Sequence, residues 1–115
     1  MREAPLYAQS AALARWLMEN LGGDPAELVA TIHRDAIRLF DAIVLALKGF
    51  ERDEQILRAD EAATLLRAHL RLVHDCGGLP ERQLVHVLGQ LDEIGRQIGG
   101  WQRRLQSDRV TPRHR

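Results

Sequence analysis

The chain has 115 residues, equal numbers of acidic and basic side chains, 45% apolar residues and a single cysteine. That is one domain's worth of sequence, too apolar for a disordered segment and unable to form an intrachain disulfide. The longest purely apolar run, Ala42 to Leu47, is far short of the roughly 20 residues a membrane span needs, and no apolar signal core follows Met1–Pro5. Membrane insertion and secretion are not expected, and a reducing, cytoplasmic compartment is.

Glycine and proline divide the rest into four helical segments. The first is expected over about residues 6–21, with Leu6, Leu13, Trp16, Leu17 and Leu21 on its apolar side and Gly22-Gly23 as its stop. The second is expected over 24–48. It opens on Asp24-Pro25-Ala26-Glu27, which reads as an N-cap, a proline at the first helical position and a capping-box carboxylate. Val29, Ile32, Ala36, Leu39, Ile43 and Leu47 then recur every three or four residues.

The third helix, expected over 53–76, carries a seam of Ile56, Ala59, Ala63, Leu66, Leu70 and Val73. The fourth, over 80–107, carries Leu84, Val87, Leu91, Ile94, Ile98, Trp101 and Leu105. No segment alternates with period two, so no strand is expected. Short connections make successive helices antiparallel, and the predicted fold is an all-α, up-down-up-down four-helix bundle spanning residues 1–115. Residues 108–115 read as a flexible basic tail. The charge is uneven: residues 1–95 hold 10 basic and 15 acidic side chains, whereas residues 96–115 hold six arginines and Asp108.

Two helices carry more apolar surface than one bundle seam uses. On the third, Ala62, Leu65, His69, Leu72 and Cys76 form a second row about 100° from the first. On the fourth, Val85, Leu88, Gly95 and Gly99 do the same. These rows predict a homo-oligomer in which copies cover one another. Gly95, Gly99 and Gly100 each cost a helix roughly 1 kcal/mol relative to alanine, which predicts close backbone approach, with Trp101 beside it, either inside the bundle or between subunits.

Chemistry-bearing constellations are missing from the sequence. No Glu is followed three residues later by His, and no two His are four apart, so neither a carboxylate-bridged nor a helical zinc pair is expected. Adjacent carboxylates such as Asp53/Glu54, Asp60/Glu61 and Asp92/Glu93 diverge around a helix. Cys76 reads as an inert small hydrophobe at a helix end, and His69 as a packed or interface side chain. No enzyme, metal or cofactor is expected.

Glu93-Ile94-Gly95-Arg96, two further residues and Gly99-Gly100-Trp101 resemble the hallmark of one four-helix-bundle family. It includes the accessory variability determinant of diversity-generating retroelements and the proteins encoded in intervening sequences of bacterial 23S ribosomal RNA genes. Leu57, Ala59, Leu66-Arg67 and Leu70-Arg71 are similar to that family's third helix. The likeness spans about residues 6–107 and is specific over the second half. It implies a homopentamer. For retroelement members it also implies a basic surface that meets RNA or DNA and a reverse transcriptase, with Arg67, Arg71 and Arg96 in the matching positions. Arg103 shares the face of Arg96, seven residues away. The chain departs from that pattern in being neutral overall with one lysine, which predicts nucleic-acid affinity that is weaker or confined to one rim. A pentameric scaffold for protein contacts is the alternative expectation.

Overall fold

The structure, a computed structural model, describes residues 4–110. It contains four helices: α1 (Ala4–Asn20), α2 (Ala26–Leu47), α3 (Arg52–Asp75) and α4 (Glu81–Val110). No strand occurs among the described residues. Consecutive helices pack on one another and α4 closes back on α1, whereas the diagonal pairs stay apart. That ring of neighbours is the antiparallel bundle that the periodicity predicts. Among the described residues no helix is long and apolar enough to cross a membrane.

The predicted seams form the core. Leu13, Leu17, Ile32, Leu39, Ile43, Leu66, Leu70, Val87, Leu91, Ile94 and Ile98 are all fully buried. Burial of such side chains stabilises a fold by about 1.5–3 kcal/mol each. The α2–α3 seam is rich in small residues: Ala36, Ala42, Ala46, Ala59, Ala62 and Ala63 are buried there. Small side chains let two axes approach, and this is the most closely packed pair in the molecule.

The helix boundaries depart from the sequence reading in two places. Asp24 does not cap α2; Pro25 occupies the N-cap with extended backbone, without any side-chain cap, and its carbonyl accepts from Val29. The Asp24 carbonyl instead lies against Gly78 in the α3–α4 turn, where a Cβ would sit 2.6 Å from it. With proline itself at the N-cap, Asp24 lies one position too far out to cap the first turn. At the other end α4 runs on to Val110, so 108–110 is helix rather than tail. Residues 111–115 of the expected basic tail lie outside the described residues.

Three histidines tie helix ends and flanks together. His33 donates from Nε2 to the carbonyls of Leu21 (2.9 Å) and Leu17 (3.1 Å), which satisfies the end of α1 from α2. His74 donates from Nδ1 to the Leu79 carbonyl at 2.8 Å across the last turn. His69 donates from Nδ1 to Oδ2 of Asp35 at 2.5 Å, joining α3 to α2. Asp35 is only 3% exposed, so this contact supplies the partner that a buried carboxylate requires.

Candidate nucleic-acid and partner interface

The four arginines singled out from the sequence come from two neighbouring helices. Arg67 and Arg71 are one turn apart on α3, on the flank that faces α4, because the Arg67 guanidinium donates to Asp92 of α4. On α4, Asp92, Arg96 and Arg103 share a face: Arg96 and Arg103 are seven residues apart, about 20° in helical phase. The α3/α4 side of the bundle therefore carries all four.

Their surroundings differ. Arg67 is engaged by Asp92, and Arg96 by Glu93 on its own helix. Arg71 and Arg103 are exposed and have no carboxylate within ion-pair distance among the described residues. Both existing pairs lie in solvent, where such contacts contribute about 0–1 kcal/mol. A phosphate offering bidentate acceptors can displace a carboxylate bound that weakly.

The glycines of α4 do not seat a neighbouring helix within the subunit. A Cβ placed at Gly95 would meet nothing within 4 Å beyond its own helix, and one at Gly99 would meet only an Arg103 guanidinium nitrogen at 3.5 Å. Arg103 folds back over Gly99, and Arg104 lies similarly near Gly100, at 3.7 Å. The close intrachain approach occurs instead at Gly78, a position the sequence marks only as a helix stop. Trp101 belongs to the core: it is 3% exposed, and the Arg52 guanidinium carbon stands 5.4 Å from its ring centre.

The second apolar rows are only partly covered. Leu65 and Leu72 are each 49% exposed and Val85 is 64% exposed, whereas Leu88 is half-buried against the core. Cys76 is exposed at the C-cap of α3, the helix end at which the sequence places it. The rows also lie on different sides of α3. Leu65 lines the cleft shared with α2, while Val85 lies about 20° from Asp92, on the flank that faces Arg67. They are two surfaces, not one.

Sequence reading misses Asp35 altogether. Its signal is positional: it sits one residue before the seam position Ala36, on a flank where the next turn places Leu39 and Ala42. A carboxylate there must be paired, and His69 on the second row of α3 is the partner. Among the described residues no group of three or more His, Cys, Asp or Glu could hold a metal ion. Compared with protein-family profiles, curated proteins and solved structures, the chain finds no match.

Proposed function

We propose that this protein is a non-catalytic, homo-oligomeric binding module whose α3/α4 side engages nucleic acid, or an enzyme that acts on nucleic acid such as a reverse transcriptase. The observation that carries this reading is the pair of exposed guanidiniums on Arg71 and Arg103, which have no carboxylate partner among the described residues, flanked by two weakly held ones on Arg67 and Arg96. A row of arginines with spare donors matches a phosphate backbone, which binds through charge neutralisation and counterion release. The likeness at Glu93–Trp101 supports the same reading and adds an assembly of five copies. The neutral net charge limits the contact to this one side.

Filter binding of single-stranded RNA and duplex DNA across a salt series tests it. Affinity should fall linearly with log salt, and Arg71→Ala or Arg103→Ala should each reduce the slope by about one. A complete lack of binding at low ionic strength, or a slope that neither substitution changes, removes the nucleic-acid reading.

A second reading keeps the assembly and makes it a scaffold for another protein. The Arg67–Asp92 and Arg96–Glu93 pairs favour it, since two of the four arginines already have carboxylates. It requires that the charge reversals Asp92→Arg and Glu93→Arg, which free those arginines and add two more, create no nucleic-acid affinity.

A further inference from the structure

The cleft between α2 and α3, about 390 Å³, is lined by five pairs of residues, and in every pair the members are twenty positions apart. Arg38 matches Arg58, Ala42 matches Ala62, and Leu45 matches Leu65. Asp41 matches Glu61, and Asp35 matches the polar Gln55. Both helices thus carry Arg-x-x-(Asp/Glu)-Ala-x-x-Leu on the same outward surface.

Because the helices are antiparallel, the repeat is a local two-fold rotation. Its axis passes between Ala42 and Ala62: Asp35 meets His69, and each of these lies seven residues from its alanine, which puts the alanines level.

The repeat stops at the surface. At the inward positions the same offset pairs Ala36 with Ile56, Leu39 with Ala59, Ile43 with Ala63 and Ala46 with Leu66, a large residue against a small one each time. Core packing inside the subunit demands that alternation. The Ala42/Ala62 match serves the close approach of α2 and α3, but nothing inside the subunit demands that Arg38 match Arg58, Asp41 match Glu61 or Leu45 match Leu65. A duplicated helix would leave its mark on both faces.

We infer that the outward face of α2 and α3 is a two-fold contact between two copies of this chain. Two buried alanines make a low floor at its centre, and Leu45 and Leu65, 38% and 49% exposed, stand on either side of it. Each leucine has an arginine stem of the opposite copy to cover it. Among the described residues Arg38, Asp41 and Glu61 have no ion-pair partner in their own chain, and Arg58 holds only Glu54 of its own helix. A partner must therefore supply both signs of charge in matching places. A second copy does so by symmetry. Nucleic acid does not, because Asp41 and Glu61 would face its phosphates.

This inference rests on the self-association in the proposed function and adds its symmetry. A ring of five uses head-to-tail contacts, whereas this face is isologous, so the assembly must hold an even number of copies. Equilibrium sedimentation of the full chain tests it with Leu45→Glu, Leu65→Glu and the double variant. Wild type should be ten copies, two rings of five paired through this face; a dimer would keep this contact and remove the ring. The two single variants should weaken that pairing to a similar degree, roughly tenfold or more each. The double variant should abolish it. Both leucines are exposed, so helix content by circular dichroism should not change.

The charge-reversed double variant Asp41→Arg/Glu61→Arg gives an independent route. It should dissociate alone and pair again when mixed with Arg38→Glu/Arg58→Glu. Five copies that none of these variants disturbs would overturn the two-fold contact and leave the ring standing. An even-numbered assembly indifferent to the variants would also overturn the contact, and a monomeric wild type would overturn both.

Discussion

The two sides of the bundle are packed by different means. Between α2 and α3, alanines alternate with leucine and isoleucine, and Ala46 and Ala59 fall within a residue of the same height. Between α1 and α4, larger and more polar groups intervene. Trp16 and His86 lie ring against ring with centroids 5.2 Å apart, and Gln97 donates to Gln9 across the gap. A cleft of about 340 Å³ opens there among Gln9, Ala12, Gly89, Gln90 and Glu93, and the buried Gln90 Oε1 has no hydrogen-bond partner. Small side chains bring axes together along the buried seam, whereas bulky and polar ones hold axes apart.

Enlarging an alanine on each side measures that difference. Ala59→Leu adds three carbons to a position that is 2% exposed, and should destabilise the fold by about 2–3 kcal/mol, the upper part of the range for overpacking. Ala12→Leu adds the same carbons beside an open cleft and should alter stability by no more than about 0.5 kcal/mol. Urea denaturation followed by circular dichroism gives both values. Equal losses at the two sites would mean that α1 and α4 are packed as tightly as α2 and α3.

The contrast also explains what could be read from sequence. Helix count, order and core seams were legible because a period of three and four residues is a local property, and all six residues of the α3 seam are buried as expected. The Asp24 cap was misread because α2 starts one residue later than expected, with Pro25 at the N-cap. Asp35 was missed because its partner, His69, lies on another helix. The arginines could be placed on faces, since phase follows from spacing. Whether Arg67 carries a carboxylate depends on how α3 and α4 are set side by side, which no local pattern holds. Arg96 and Glu93, by contrast, are three residues apart on one helix, and that pair follows from spacing.

Gly78 sharpens the comparison at the turn between the two sides. A Cβ there would stand 2.6 Å from the Asp24 carbonyl oxygen and 2.9 Å from Val73 Cγ2, and the nearer atom is backbone, which cannot swing aside. Gly78→Ala should therefore cost about 1–2 kcal/mol, although this glycine has no positive φ to explain its identity. Thermal denaturation should show the loss. An unchanged midpoint would indicate that the α1–α2 turn yields freely and that its contact with Gly78 does not hold α2 in place.

Gly95 makes the prediction with the opposite sign. It lies mid-helix in α4, and a methyl group there would meet no other part of the subunit. Alanine is the better helix former by up to about 1 kcal/mol, so Gly95→Ala should stabilise the isolated fold by roughly that amount. Gly99→Ala should gain a similar amount, because the Arg103 guanidinium nitrogen 3.5 Å from where the methyl would be is at ordinary contact distance. The same substitution becomes informative when it is read against assembly. If a second copy lies on the α3/α4 side, the methyl that helps the helix must obstruct the neighbour, and unfolding midpoint and association constant will move in opposite directions. If both rise or neither moves, the glycines have no role in subunit contact, and the cost that they impose on α4 is left without a compensating interaction.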